Sequence, residues 1–249
     1  VRGEEAESTA AENAVAALVE RGIDTFFGVP GGPIIPFFDA ILRNPRATLY
    51  EPRHETVAVF EAMGFYRATG RVPVVVVTAG PGATNVVTGV AAAALERIPM
   101  LVVCGDVAWS STGKRMLQDS GEAGLAIERM LSSVTRATIR VSRAESATSQ
   151  VLAAVGAAVN RRDPGPALLV FPIDRSGQRR PSPRLATATR ISPSIPPPPA
   201  IETLLSLEQR LRRSRRPLLL LGAGCRGHEA AMSELVDALG IPLATTPCA

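Results

Sequence analysis

Three short segments of this sequence carry residue types that bind and activate small molecules. Two are glycine-rich, 28–32 (GVPGG) and 78–85 (TAGPGATN), and the third, 53–55 (RHE), places a histidine beside a carboxylate. Glycine turns let a backbone approach a ligand closely, and a nearby carboxyl group can exchange a proton with it. Singly, each also has a structural explanation: glycines shape turns, Glu55 suits the first turn of a helix, and His54 suits a helix cap or the surface. Their chemistry therefore depends on the fold bringing them together.

The elements around these segments alternate between strands and helices, which is typical of a parallel sheet with crossover helices. Strands are predicted at 25–29, 48–51, 72–78, 100–105, 137–141 and 167–171. Helices are predicted from the capping box of Thr9 and Glu12 to Gly22, and at 34–42, 54–69, 83–95 and 145–161. The third strand is apolar on both faces, as a sheet covered on both sides requires. The fold class is therefore α/β, a doubly wound parallel sheet whose carboxyl edge collects the three segments.

The composition changes after Asp174, where prolines accumulate and helical or strand periodicity ends. We predict a first domain at 1–175, a proline-rich linker at 176–200 and the start of a second α/β domain at 201–249. About fifty residues cannot cover both faces of a doubly wound sheet, so this second domain is expected to be incomplete. A fragment, a truncated reading frame and one half of a split enzyme all fit this organisation.

Composition and charge exclude several classes of function. The chain has 27 Lys and Arg against 23 Asp and Glu, and its densest basic cluster, 210–216, contains no aromatic residue on which bases could stack. Apolar runs such as 74–77 and 218–221 are far shorter than the ~18 residues of a membrane span. Neither a secretory signal nor a disulfide or zinc spacing is present. We expect a cytoplasmic protein with no nucleic-acid or membrane partner and no metal ligands of its own.

Seven motifs, in this order and spacing, resemble the pyrimidine-binding domain of thiamine-diphosphate-dependent enzymes, closest to the acetolactate-synthase-like branch. That branch also includes benzoylformate and related 2-oxo acid decarboxylases. The motifs are GVPGG (28–32), RHE (53–55), AMGFYRATGR (62–71), TAGPGATN (78–85), ALERIPMLVVCGD (94–106), LQD (117–119) and GPALLVFPID (165–174). Residues 216–249 are similar to the start of the middle domain of that family.

The resemblance implies a carbon–carbon lyase or transferase that acts on pyruvate-like 2-oxo acids with thiamine diphosphate. It leaves two alternatives: a 2-oxo acid decarboxylase of the benzoylformate type, and a non-catalytic remnant or subunit. It assigns catalytic roles to Glu55, which hydrogen-bonds the aminopyrimidine ring so that the cofactor deprotonates its own thiazolium C2, and to Gln118, near the substrate. For this role we expect a buried, apolar surrounding for Glu55. The implied cofactor-binding residues are Pro30, Gly31, Glu55, Thr78, Gly80, Pro81, Gly82 and Asn85.

The resemblance also implies partners outside this chain. The diphosphate and Mg²⁺ are expected on a separate C-terminal domain, supplied by another subunit of a homodimer or homotetramer or by a partner chain. FAD is left open, because the middle domain binds it only in some members. The G-x-G-x-x-G at 222–227 favours tight helix–strand packing over NAD, since no Asp or Glu follows the next strand. Leu117 stands where an aromatic residue is commoner, so the particular 2-oxo acid is not identified.

Overall fold

The computed structural model describes residues 7–181, 191, 198–225 and 227–246. The chain divides into two compact units, Val1–Ile195 and Pro196–Ala249. In chain order the first unit contains β1 (Glu7–Thr9), α1 (Ala10–Glu20), β2 (Thr25–Gly28), α2 (Ile35–Arg43), β3 (Thr48–Tyr50), α3 (Glu55–Thr69), β4 (Val74–Val77), α4 (Pro81–Asn85), α5 (Val87–Leu95), β5 (Met100–Asp106), α6 (Ile127–Leu131), β6 (Thr138–Arg140), α7 (Ala147–Ala158), β7 (Pro166–Pro172), α8 (Ile173–Ser176) and β8 (Arg179–Pro181).

Six of these strands form one parallel sheet in the order β3-β2-β4-β5-β7-β6. Alternate residues of each strand point to opposite faces, so the sheet separates two apolar cores. Helices α1, α2 and α7 cover the face that carries Val74 and Val76, and α3 to α6 cover the face that carries Val75 and Val77. The predicted α/β fold class and doubly wound sheet are confirmed. The order reverses between β2 and β4, and ligands of such sheets bind at this switch point.

The local sequence explains where the helices near this switch point begin and end. The predicted capping box is present, because Thr9 accepts from the backbone N–H of Glu12 and the Glu12 carboxylate accepts from that of Thr9. His54 caps α3 as expected, accepting through Nδ1 from the N–H of Thr56, and Gly70 ends that helix with a φ of 68°. Glu55 is thereby fixed as the first residue of α3.

Two features differ from the sequence-based expectation. The helix predicted at 83–95 is divided at Val86 into α4 and α5, because the turn that starts at Gly80 leads directly into a separate short helix. The first part of the predicted linker is not free chain, because β8 pairs antiparallel with β1 and ties the two ends of the unit together. This pairing joins residues about 170 positions apart, which local patterns do not reveal. Most of the remaining predicted linker, 182–190 and 192–197, lies outside the described residues.

The second unit consists of α9 (Ile201–Arg213), β9 (Leu219–Leu221), α10 (Glu229–Leu239) and β10 (Leu243–Thr245). The two strands pair in parallel. Among its described residues neither helix buries a side chain, and Leu218 and Leu220 are 63% and 64% exposed. The division into domains and linker at 175 and 200 stays a prediction. In the described part of the chain, no helix combines the length and the apolar character needed to span a membrane.

Gly156 offers a simple test of the packing around α7. It is exposed in the last turn of this helix, and a methyl group added to it would meet nothing within 4 Å. Glycine costs helix stability because it has more backbone freedom to lose on folding. Gly156→Ala should therefore raise the free energy of unfolding by about 0.5–1 kcal/mol, measured by urea denaturation. A loss of stability would show that this face of α7 is packed against another part of the protein.

Candidate active site

The three segments that carry the candidate chemistry meet at the carboxyl edge of the sheet. The turn after β2 contains Gly31, α3 starts with Glu55, and the turn after β4 runs from Thr78 to Gly82. A Cβ built on Gly31 would lie 2.6–2.8 Å from the side-chain atoms of Thr78, so these two turns touch. The fold therefore assembles the segments at the switch point between β2 and β4.

Glu55 is held at this edge by Asn85, which lies thirty residues further along the chain. The Asn85 side-chain amide donates a 2.9 Å hydrogen bond to Glu55 Oε2. The Asn85 carbonyl accepts a 2.5 Å hydrogen bond from the Thr56 hydroxyl, so the start of α3 and the end of α4 are tied twice. No described residue bonds to Glu55 Oε1, which lies 3.3 Å from the position that a Cβ on Gly82 would take. One carboxylate oxygen is therefore fixed, and the other faces the glycine turn.

The three glycines of the site allow an approach that a side chain would block. A Cβ on Gly82 would lie 2.7 Å from Thr78 Cγ2, and one on Gly80 would lie 2.8 Å from Cβ and Cγ of Gln118. Gly80 also has a φ of 67°, a left-handed conformation that other residues rarely adopt. At these glycines the turns and the Gln118 segment therefore pack directly against one another, at distances that leave no room for a Cβ atom.

Thr78 places a buried hydroxyl between the turn after β2 and the turn after β4. The residue is 8% exposed, and its Oγ1 is buried with no hydrogen-bond partner in the described part of the chain. A Cβ on Gly31 would lie 2.7 Å from this oxygen. An unpaired buried hydroxyl costs about 1–3 kcal/mol, so such groups in native proteins usually serve a ligand or a water. The Thr78 hydroxyl is therefore a candidate hydrogen-bonding group of the site.

Gln118 approaches the same turn from the segment between β5 and α6. It has a φ of 64° and packs against Gly80, and it lines a cavity of about 370 Å³ with Gly80 and Pro81. Leu117, beside it, is 88% exposed at the mouth of this cavity. The two prolines of the predicted site, Pro30 and Pro81, are exposed beside the glycine turns. Gly31 and Gly82 pack against Thr78, and Gln118 packs against Gly80. Glu55, which is bonded to Asn85, lies beside Gly82.

The apolar surrounding expected for Glu55 is not complete in this chain. Ala58 is fully buried in the core below α3, whereas Val57 is 44% exposed and Glu55 and Val29 are half-buried. The reason is helical geometry, because a residue two positions along an α-helix points to the opposite side. Val57 therefore cannot enclose Glu55. In the described part of the chain the Glu55 carboxylate therefore stays half-buried.

Cys104 lies under the site without taking part in it. Its thiol is 1% exposed and donates weak hydrogen bonds to the carbonyl oxygens of Thr78 and Gly105. Burial, reinforced by the nearby Asp106 carboxylate, raises the pKa of this thiol far above its ordinary value. The group stays protonated, which excludes it as a nucleophile. No cluster of His, Cys, Asp or Glu suited to a metal ion occurs in the described ranges.

The sequence motifs missed the polar residues that support the Gln118 segment. Ser120 is fully buried, and its hydroxyl accepts a 2.8 Å hydrogen bond from the N–H of Gly80. Asp106 is 1% exposed and accepts from the N–H of Ser120 at 3.0 Å. The one available signal was the aspartate that ends the apolar strand MLVVCGD. A charged residue in that position is expensive unless it is paired.

Comparisons with known proteins agree with this geometry. Residues 8–127 match the family described as thiamine pyrophosphate enzyme, N-terminal TPP binding domain. The matched residues run from β1 to the start of α6 and include Gly31, Glu55, Thr78 and Gln118. The chain belongs to this family of thiamine-pyrophosphate-dependent enzymes, in its acetolactate-synthase-like branch.

Curated relatives from a plant and a yeast are both named acetolactate synthases. Acetolactate synthase 1 of Oryza sativa is 34% identical over 235 residues, which cover 93% of this chain and 35% of the relative. The mitochondrial acetolactate synthase catalytic subunit of Saccharomyces cerevisiae is 32% identical over 239 residues, covering 92% and 34%. The chain thus spans about a third of the length of these relatives.

An X-ray structure supports the fold. A protein of Mycobacterium smegmatis, described as a thiamin diphosphate-dependent enzyme, superposes with a TM-score of 0.83 at 23% identity. The superposition covers 96% of this chain and 45% of the other. The resemblance stated from sequence motifs is confirmed for family and fold.

Proposed function

We propose that this chain supplies the pyrimidine-activating half of an acetolactate-synthase-like enzyme, which decarboxylates pyruvate and condenses the product with a second 2-oxo acid. The observation that carries the proposal is the Glu55 carboxylate, fixed through Oε2 by Asn85 while Oε1 faces the open glycine turn. The acetolactate synthase names of the relatives in plants and yeast favour this reaction over a simple decarboxylation.

The residues present fit an aminopyrimidine ring. Such a ring is flat and carries polar atoms on its edge, so it needs a narrow cleft with a few hydrogen-bonding groups. Gly31, Gly80 and Gly82 let the turns of the site pack closely. The Thr78 hydroxyl there has no partner in the described part of the chain, and Glu55 Oε1 is available beside Gly82. These residues and Asn85 would hold the ring, with Pro30 and Pro81 bordering it.

Glu55 would act by holding a proton at a ring nitrogen. When thiamine diphosphate is bound it supplies a carbon nucleophile for attack on the keto group of the substrate, a chemistry that side chains lack. The carboxyl group of Glu55 would share a proton with the ring nitrogen through Oε1, while the hydrogen bond from Asn85 holds Oε2 in place. Gln118 would face the substrate from the side of Gly80. Exclusion of water from Glu55 would be completed by the surface that covers its open side.

The remaining parts of the active site would come from a second subunit or from a partner chain. The diphosphate and a Mg²⁺ ion would bind a separate domain in a second subunit or a partner chain, giving a homodimer or homotetramer. The exposed leucines of the second unit support the proposal that this unit is part of a larger middle domain.

The proposal is tested by incubating the full-length protein with pyruvate in the presence and absence of thiamine diphosphate and Mg²⁺. We expect turnover that depends on the cofactor, and acetolactate as the product detected by mass spectrometry. Release of an aldehyde instead would favour the decarboxylase alternative. Absence of both turnover and cofactor binding in calorimetric titration would overturn the enzyme proposal and favour a non-catalytic subunit.

A further inference from the structure

A buried set of three charged residues lies beside the candidate site. Arg140, on the edge strand β6, makes a 2.7 Å ion pair with Asp106 at the end of β5. Its guanidinium also makes two 2.7 Å hydrogen bonds to the two carboxylate oxygens of Glu128 on α6. The side chains of Arg140, Asp106 and Glu128 are 18%, 1% and 24% exposed. We name these three residues the ion triad.

The ion triad is costly to keep if its only role is to stabilise the fold. Burying charges carries a desolvation penalty that their attraction often fails to exceed, and apolar residues of similar size are frequently as stable. Burial lowers the pKa of Arg140, but the hydrogen bonds to Glu128 and Asp106 outweigh burial and raise it, so Arg140 remains charged. Packing alone therefore does not explain why charges occupy this position.

The two oxygens of Asp106 have different partners. Oδ2 bonds to Arg140, while Oδ1 accepts from the N–H of Val107 at 2.8 Å and from the N–H of Ser120 at 3.0 Å. Asp106 thus joins the beginning and the end of the intervening chain. Ser120 links Asp106 to the turn after β4, because its hydroxyl accepts a hydrogen bond from the N–H of Gly80. A hydrogen-bonded path leads from Arg140 through Asp106 and Ser120 to the turn that faces Gln118.

Beyond this path, the chain between these points is held by a hydrogen bond from the N–H of Trp109 to Asp174 and by turns of its own backbone. Residues 107–126 contain one short 3₁₀ turn, Trp109–Ser111, and residues 112–117 are all exposed. A second clamp, Asp119, accepts from the N–H groups of Gly113 and Gly121, but it lies within the same segment. A segment without an α-helix or a strand depends strongly on its polar anchors for its position.

We propose that the ion triad is a positioning device that fixes segment 107–126, and thereby sets Gln118 against Gly80 in the active site. The contribution to catalysis rests on the proposed function; the anchoring of the segment does not. Arg140 orients Asp106, and Glu128 orients Arg140 by pairing with both of its remaining nitrogen atoms. The three residues act through Gln118 and do not touch the substrate themselves.

The experiment compares Arg140→Met and Asp106→Asn with Arg136→Met in the full-length protein. Arg136 is a matched control, because it also forms a 2.9 Å ion pair, with Asp163, and its side chain is 21% exposed, but it lies at the opposite end of β6. Trypsin cleavage under native conditions reports on the segment, since Lys114 and Arg115 are exposed within it. Urea denaturation of each variant measures global stability, and steady-state kinetics measure kcat/KM for the 2-oxo acid.

We expect cleavage after Lys114 or Arg115 to accelerate about tenfold or more in both triad variants, beyond what their global stability accounts for, and to stay unchanged in Arg136→Met. We expect kcat/KM to fall about 10- to 100-fold in the triad variants only, because small misplacements of active-site groups have effects of this size. Asp106→Asn, which is nearly isosteric, decides the matter if Arg140→Met does not fold.

Equal cleavage rates in triad and control variants would overturn the proposal. So would a released segment with unchanged kcat/KM, since Gln118 would then not need to be positioned. A wild-type protein without cofactor-dependent turnover would instead refute the proposed function, and the cleavage rates would still decide whether the ion triad anchors the segment.

Discussion

Glu55→Gln is expected to lower kcat of the full-length protein by about 10²- to 10⁴-fold, the range typical of losing a proton-transferring group. In the variant the glutamine oxygen would accept from the Asn85 amide, as Oε2 does now. The side-chain NH₂ would then occupy the place of Oε1 at the glycine turn. It can donate a hydrogen bond there, but it cannot share or give up a proton as a carboxyl group does.

The shape and hydrogen bonding of this variant stay close to those of the wild type, so the fold should survive. We expect its free energy of unfolding to remain within about 0.5 kcal/mol of the wild-type value. Glu61→Gln is the matched control: it makes the same substitution on an exposed residue of α3, one and a half turns further along. Loss of activity in Glu61→Gln, or full activity in Glu55→Gln, would contradict the role assigned to Glu55.

Gly28→Ala should have the largest effect on stability. Gly28 ends β2 and lies opposite Val76 in the neighbouring strand. A Cβ on Gly28 would lie 2.2 Å from the backbone oxygen of Val76 and 3.1 Å from Phe38 Cζ. The oxygen belongs to the central sheet, so it cannot move away without disturbing the pairing of β2 with β4. We expect a loss of about 3 kcal/mol or more.

Urea denaturation monitored by circular dichroism measures this loss, and poor soluble expression would accompany it. Gly156→Ala, which adds the same methyl group where nothing lies within 4 Å, provides the control and should be slightly more stable than the wild type. If the free energy of unfolding of Gly28→Ala lies within about 1 kcal/mol of the wild-type value, β2 and β4 do not approach as closely as described.

The sequence predicted the sheet and most of its helices because their signals are local. Apolar strands such as β4, the capping box of α1 and the glycine that ends α3 each act within a few residues. The pairing of β1 with β8 was missed, since it joins distant residues that carry no local pattern. The break between α4 and α5 at Val86 was also missed, because the local pattern of 83–95 predicts one continuous helix.

The sequence motifs predicted which residues belong to the candidate site, but not how these residues contact one another. Motifs indicated Glu55, Asn85 and the glycines, and the structure adds that Asn85 fixes one oxygen of Glu55 and that Thr78 leaves a hydroxyl unpaired. No sequence motif indicated the ion triad as a set. Its residues, Asp106, Glu128 and Arg140, lie on three elements that only the fold brings together. Long-range polar contacts of this kind require coordinates.

The measurement that tests the central claim most directly is the rate of hydrogen–deuterium exchange at C2 of thiamine diphosphate bound to the full-length protein, followed by rapid quench and NMR. The account predicts that wild-type protein and Glu61→Gln accelerate this exchange equally over that of free cofactor. It predicts that Glu55→Gln loses about 100-fold or more of the acceleration while still binding the cofactor. Exchange at the wild-type rate in Glu55→Gln would contradict the claim that this carboxylate activates the pyrimidine.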